Sequence, residues 1–314
     1  MLEKQKVNLV LELTIKIFVI MAIGFIAKKM GVIDAGCKQK LSGLLVNLLL
    51  PVSMVVSSQQ PFGVEHLKGA GQIALISFLY YIVAFACGLG IGKLVKMETK
   101  KTAMFTMLIA FANTGFVGMP LLGQIIGETG TLYGAIYNSV FDVLYFSYGI
   151  YLISGDGREK IDWKALFGNP MIWVAFITIF FYVMPFRFPA VLTDSLGLVG
   201  NCMMPVSMLI IGAEIAGMDV KSVLSDKASY GVSAIRMFLF PLITFGIMKI
   251  LDAEYEVAAT TVILSAMPSG SLNVIMGQKY ENNARFAATA VMQNTILMII
   301  TLPVFVYLCE RYLH

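Results

Sequence analysis

Asn113-Thr114-Gly115-Phe116-Val117-Gly118-Met119-Pro120 interrupts an otherwise apolar stretch of this 314-residue chain. A helix crossing lipid must satisfy its backbone polar groups internally. A Gly- and Pro-interrupted segment at membrane depth is therefore tolerated only where protein or a watery cavity surrounds it. A second interruption, Ala266-Met267-Pro268-Ser269-Gly270-Ser271-Leu272-Asn273, occupies a similar place in the other half of the chain. Paired broken spans in two halves point to a binding site where they meet.

Composition agrees with a membrane setting. The chain is 58% hydrophobic and 13% charged, with mean hydropathy +0.81, which places it in the polytopic membrane class. Its longest polar stretch, Ser154 to Lys164, is too short to fold alone, so any activity sits in the membrane bundle. Cys37, Cys87, Cys202 and Cys309 lack metal-ligand spacing and read as small core residues. His66 and His314 are the two histidines, so neither a zinc site nor a Ser-His-Asp triad can be assembled at membrane depth. An enzyme, a resident cofactor and nucleic-acid binding are all unexpected. The apolar run from Val7 to about Ala27, after Lys4 and Lys6, is longer than a signal-peptide core and reads as the first span.

Apolar stretches long enough for a bilayer core occur at about 8–28, 39–58, 69–94, 102–127, 130–153, 169–186, 194–216, 229–250, 256–278 and 286–309. With the N-terminus outside, alternate loops carry Lys28, Lys29, Lys38, Lys40, Lys93, Lys96, Lys100, Lys101, Arg158, Lys160, Lys164, Lys221, Lys227, Lys279 and Arg285 on one side. That side is cytoplasmic by the positive-inside rule, leaving both termini outside. Asn47-Leu48-Leu49-Leu50-Pro51-Val52-Ser53-Met54 recurs 154 residues later as Asn201-Cys202-Met203-Met204-Pro205-Val206-Ser207-Met208. The copies fall in the second and seventh spans, so each repeat holds five spans and the halves are inverted. The expected fold is an all-α polytopic membrane protein of ten transmembrane helices. It consists of a first repeat at 1–153, a cytoplasmic linker at 154–168 and a second repeat at 169–314, with broken, crossing fourth and ninth helices. Pro51 and Pro205 read as kinks of scaffold helices. Asn47, Ser53, Asn201 and Ser207 beside them suit close helix packing or a dimer interface.

Each broken helix presents one half-helix N-terminus, with unpaired N–H groups and a partial positive charge, and one C-terminus of the opposite sign. The N–H ends make an anion site without Lys or Arg, and the carbonyl ends can coordinate a cation. The candidate substrate-binding residues are Asn113, Thr114, Gly115, Pro120, Met267, Pro268, Ser269, Gly270, Ser271 and Asn273, together with Asn138 in the fifth span. Capping of the broken ends accounts for the same side chains, and both roles can coexist. Asn138 and Asp142 stand one helical turn apart and share a face. Asp142, with Gln293 and Asn294 in the tenth span, is the candidate for coupling to a proton or sodium ion, and a structural pairing of Asp142 is the alternative. Arg236 in the eighth span could partner Asp142 or attract an anionic substrate, but it reads as close enough to a span end to snorkel. Like Glu12, Lys16 and Glu214, it receives no role.

These residues carry a family resemblance. Asn113-Thr114-x-x-x-Gly118-Met119-Pro120-Leu121-Leu122 resembles the fourth-span crossover of the auxin efflux carrier family, and Ala266-Met267-Pro268-Ser269-Gly270, with Lys279-Tyr280 downstream, resembles its ninth-span crossover. The resemblance covers essentially the whole chain. It implies a fold similar to bile acid/sodium symporters and a homodimer in the plasma (inner) membrane. Spans 1, 2, 6 and 7 would form the scaffold, and spans 3–5 and 8–10 the transport domain. It implies an elevator-type carrier of an organic acid anion, auxin-like or malate-like. A channel or a membrane sensor using the same crossover is the alternative.

Overall fold

Runs of Leu, Ile, Val, Phe and Met with few charges leave the backbone no hydrogen-bond partner in lipid but itself, and helices follow. The structure is a computed structural model that describes residues 2–61, 63–154, 168, 170–184, 186–219, 221, 223 and 229–313. The expected linker therefore lies outside the described residues except at its ends, Ser154 and Gly168. Helix α1 is Leu2–Lys29, α2 Ala35–Ser57, α3 Val64–Leu94 and α4 Thr99–Ala110. After residues 111–113, a π turn at Thr114–Gly118 runs into α5, Met119–Ile125. Helix α6, Glu128–Leu144, passes through a π turn at Tyr145–Gly149 into α7, Ile150–Ser154. Then come α8 Pro170–Val183, α9 Ala190–Ala216, α10 Tyr230–Ile250, α11 Tyr255–Ser265, α12 Leu272–Lys279 and α13 Ala284–Tyr312.

Five of these, α2, α3, α9, α10 and α13, are single helices long and apolar enough to cross a membrane. The stretches expected as fourth and ninth spans are not single helices. Each is split, into α4 and α5 and into α11 and α12, by extended residues around Asn113 and Pro268. Among the described residues there is no strand, only an isolated antiparallel bridge between Ala112 and Ser269 where the two splits meet.

Three π turns end two residues before a proline: Leu45–Leu49 before Pro51, Thr114–Gly118 before Pro120, and Ile235–Leu239 before Pro241. Proline lacks an N–H, and its ring crowds the carbonyl four residues back. Widening the helix by one residue ahead of it relieves that contact and re-aims the carbonyl. The turns after α3 and α10 are built alike. Met97 N–H reaches Gly92 O at 2.8 Å and Ala253 N–H reaches Met248 O at 3.2 Å, with left-handed residues at Lys96 and Asp252. Both are six-to-one helix stops, and Glu98 and Glu254 then precede α4 and α11.

Small residues let helices approach closely, as membrane packing requires. A Cβ on Gly212 of α9 would sit 1.9 Å from Met21 O of α1, and one on Gly24 would sit 2.3 Å from Leu209 O. Gly88 and Gly92 of α3 meet Thr106 and Thr102 of α4 in the same way. The main core surrounds the crossing, with Phe111, Leu108, Ile109, Leu264 and Met267 fully buried. A smaller cluster of Leu45, Leu49, Met54, Met119, Met203 and Ile210 joins α2 and α9 to the end of the first break. Outward-facing Ile23 and Ile26 of α1, Leu75 and Val83 of α3, Phe176 and Phe180 of α8 and Ile300 of α13 are exposed. So broad an apolar surface suits lipid, not water.

Candidate functional site

At the crossing, Asn113 N–H donates to Pro268 O at 2.7 Å and Gly270 N–H donates to Phe111 O at 2.9 Å. Pro268 can only accept here, because it has no N–H. Gly270 is required by space, since a Cβ there would lie 3.1 Å from Ala112 O. Two short extended pieces thus hold four half-helix ends together.

The C-terminal ends pose the larger accounting problem, because the last carbonyls of α4 and α11 have no partner within their own helix. Arg236, in the π turn of α10, takes several carbonyls at these ends and is 0% exposed. Its Nε donates to Met267 O at 2.9 Å, Nη2 to Leu264 O at 3.2 Å, and Nη1 to Ile109 O at 3.1 Å and more weakly to Ala110 O at 3.5 Å. Nη1 also donates to the hydroxyl of Tyr80, on α3. Leu108 O accepts from Ser269 Oγ at 2.7 Å, and Phe111 O accepts from Asn273 Nδ2 at 3.1 Å.

A buried network braces the crossing from α10 and α13. Asn294 Nδ2 donates to Ser269 Oγ at 2.8 Å, and Ser233 Oγ lies 2.6 Å from both Asn294 Oδ1 and Gln293 Oε1. One hydroxyl proton cannot serve both oxygens. Turning the Gln293 amide over places its Nε2, otherwise without a partner, on Ser233.

The N-terminal ends face a cavity of about 200 Å³ lined by Asn113, Thr114, Gly115, Asn138, Asp142, Gly270 and Ser271, with Leu45, Val46, Leu50, Phe141 and Phe146 as apolar walls. Asn113 caps the first half-helix, its Oδ1 accepting from Phe116 N–H at 3.3 Å. Thr114 Oγ1 donates to Asn138 Oδ1 at 2.6 Å, and Asn138 Nδ2 donates to Gly134 O at 3.1 Å. The amides of Thr114, Gly115, Ser271 and Leu272 have no protein acceptor among the described residues, and all four residues line the cavity. They are the first N–H groups of two helices and carry the positive end of each dipole. Chemically, this is a small chamber with unpaired donors, neutral amide and hydroxyl side chains, and one carboxylate.

A second cavity, of about 180 Å³, lies beyond Pro120 between α2, α5, α6 and α9, with Ser53, Gln124, Glu128, Thr131 and Asn201 among its lining residues. Glu128 starts α6 there, and burial raises its carboxyl above the ordinary value. Between the two cavities the Ser207 hydroxyl donates to Phe116 O. That is the carbonyl four residues before Pro120, the one proline leaves unpaired.

The structure therefore brings Asn113, Thr114, Gly115, Asn138, Asp142, Gly270 and Ser271 into one chamber. Pro120 lines the second cavity instead. Met267, Pro268, Ser269 and Asn273 form the crossing itself: Met267 O accepts from Arg236 and Pro268 O from Asn113 N–H, while the side chains of Ser269 and Asn273 face carbonyls or Asn294. Gln293 and Asn294 are fully buried in the bracing network and do not line the chamber. Ser207 faces the broken span, and Ser53 packs on Gly200 of α9, so both make contacts within the chain. Asn47, Asn201 and Pro205 are exposed, and Pro51 is half-buried. Arg236 corrects the snorkelling expectation. Its side chain runs inward because the acceptors at two helix ends outbid water at the membrane face, and none of its hydrogen bonds goes to Asp142. A lone arginine inside an Ile- and Phe-rich span was the available signal.

Comparison with known proteins places this geometry in context. A family model described as Membrane transport protein matches residues 9–161 and 158–306. An uncharacterized transporter of Methanothermobacter thermautotrophicus is 23% identical over 298 residues, covering 93% of this chain and 96% of the relative. An uncharacterized transporter of Methanocaldococcus jannaschii is 21% identical over 306 residues, with the same shares of each chain.

Proposed function

Because the chain belongs to the membrane transport protein family, that of the auxin efflux carriers, we propose that it is a secondary transporter of a small organic acid anion. The observation that carries this is the set of four unpaired amides on one chamber at the meeting of two half-helix N-termini. Such ends bind a carboxylate without a lysine or arginine in contact. A cavity of about 200 Å³ is below the ~300 Å³ at which ordinary small-molecule sites begin, which favours a small acid over a bulky aromatic one. In this proposal the carboxylate sits on the Thr114, Gly115, Ser271 and Leu272 amides, and Asn113 and Asn138 orient it.

The finer architecture belongs to the same proposal. Ten spans form two inverted five-span repeats in the inner membrane, with both termini outside. The like-built turns after α3 and α10 and the Asn47 and Asn201 segments support the repeat. A scaffold of spans 1, 2, 6 and 7 holds a homodimer, and spans 3–5 and 8–10 carry the substrate as an elevator. The two cavities on either side of the Ser207 to Phe116 contact fit such alternating access. Asp142 lines the chamber and is the candidate proton link.

The test is uptake by purified protein in proteoliposomes, scanning short monocarboxylates, malate and indole-3-acetate. Each acid is assayed with and without imposed proton and sodium gradients. Saturable uptake of one acid that is lost in Asn113→Ala, with Asp142→Asn removing gradient dependence, is the expected result. Wild-type flux in Asn113→Ala would refute the assigned site.

A further inference from the structure

The most costly feature of the bundle has no part in the proposed binding chemistry. It is a guanidinium with 0% exposure at membrane depth, where a charge is retained only with close partners. We infer that Arg236 is the resident cation of the crossing. It fills the place in which two carbonyl-ended half-helices would otherwise hold a small metal cation, so substrate binding here requires no sodium ion.

The charge balance and the geometry both carry this. A helix C-terminus bears about half a negative charge, so the meeting ends of α4 and α11 sum to about one, which a single guanidinium offsets. Carbonyls of half-helix C-termini are the usual ligands for a coupling cation in broken-helix bundles. Here Ile109 O, Leu264 O and Met267 O already accept from Arg236 within 3.2 Å. The planar fork, with five N–H donors, spans ends that belong to different helices, and it does not deprotonate in proteins. Tyr80 closes the remaining side, its hydroxyl accepting from Nη1 and its ring centroid 5.9 Å from the guanidinium carbon. A sodium ion would have to expel a tethered cation whose three nitrogens all donate to the crossing or to Tyr80. The half-helix N-termini then keep their positive potential for the anion alone. This inference rests on the proposed function only in taking the crossing as the substrate site.

The test reads ion occupancy, not flux, so that failure to move any acid refutes the substrate proposal and leaves this one standing on its own result. Purified wild-type protein is assayed for ²²Na⁺ binding and for its melting midpoint in sodium chloride and in choline chloride of equal ionic strength. No saturable ²²Na⁺ binding and equal midpoints are expected. Saturable binding of one sodium per chain would overturn the inference. In Arg236→Ala the midpoint should fall and then rise again with low millimolar guanidinium, which leaves the wild type unchanged. Loss of stability without such rescue would mean a purely structural arginine and would also overturn it. Arg236→Lys keeps the charge and should remain sodium-blind, and the wild-type sodium arm decides the matter even if neither variant folds.

Discussion

Two glycines of the crossing, Gly115 and Gly270, separate binding from stability when each is changed to alanine. A Cβ on Gly270 would lie 3.1 Å from Ala112 O and 3.3 Å from Ala112 C, both backbone atoms that cannot swing aside. The two extended pieces must part by a few tenths of an ångström, which strains the 2.9 Å bond from Gly270 to Phe111 and the 2.7 Å bond from Asn113 to Pro268. Overpacking of this kind costs about 1–3 kcal/mol. A Cβ on Gly115 meets nothing within 4 Å and enters the chamber. It also improves local helix propensity by up to about 1 kcal/mol. Gly115→Ala should therefore melt at or above the wild-type temperature, yet bind substrate about 5- to 150-fold more weakly, the equivalent of a 1–3 kcal/mol steric penalty. Gly270→Ala should melt lower. The assay is the melting midpoint of detergent-purified protein together with KM in proteoliposomes. Wild-type KM in Gly115→Ala would refute the placement of substrate, and equal loss of stability in both variants would refute the reasoning about space.

Gly212→Ala should lower the melting midpoint by the equivalent of about 1–3 kcal/mol, because its Cβ would meet Met21 O at 1.9 Å. Gly90→Ala, on the exposed face of α3 with nothing within 4 Å, should leave the midpoint unchanged or raise it, and the same thermal assay compares them. Ser207→Ala orphans Phe116 O and should cost about 1–3 kcal/mol. Its repeat mate Ser53, which makes no side-chain hydrogen bond among the described residues, should tolerate alanine. Equal midpoints for the two serine variants would show that the Phe116 contact contributes nothing.

The Asn113 and Pro268 breaks were legible in the sequence because glycine and proline announce their backbone demands. Asn138 and Asp142 were placed correctly on one face because helical spacing is local. Arg236 was not legible, since its partners are main-chain carbonyls at two helix ends, and no side chain in Ile109, Leu264 or Met267 signals that its carbonyl is unpaired. Ser207 was half legible. Its repeat mate marked it as special, but its partner follows only from knowing that Pro120 frees the carbonyl of Phe116 and that α9 passes beside it. The division between chamber and crossing at Gly270 and Ser269 was also hidden, because neighbouring residues in an extended piece point to opposite sides and the sequence does not say which side is hollow.

Each π turn holds one residue more than the α-helix around it would need, and an α-helix advances about 100° per residue. Removing a single residue from Ile235–Leu239 would let that segment relax to ordinary α geometry with Tyr230–Ala234 and Phe240–Ile250 still in phase, whereas straightening it with every residue retained would swing the two flanks apart by roughly that angle. Arg236 could not then address the crossing while Phe240 and Met248 kept their buried positions. The same holds at Thr114–Gly118, where the phase set by the wide turn fixes which way Met119 to Ile125 face once the chain has left the chamber. Alignments of this chain with others should therefore accommodate single-residue gaps at these turns with the flanking helix faces preserved, whereas a gap elsewhere in the same helices reads as a rotation.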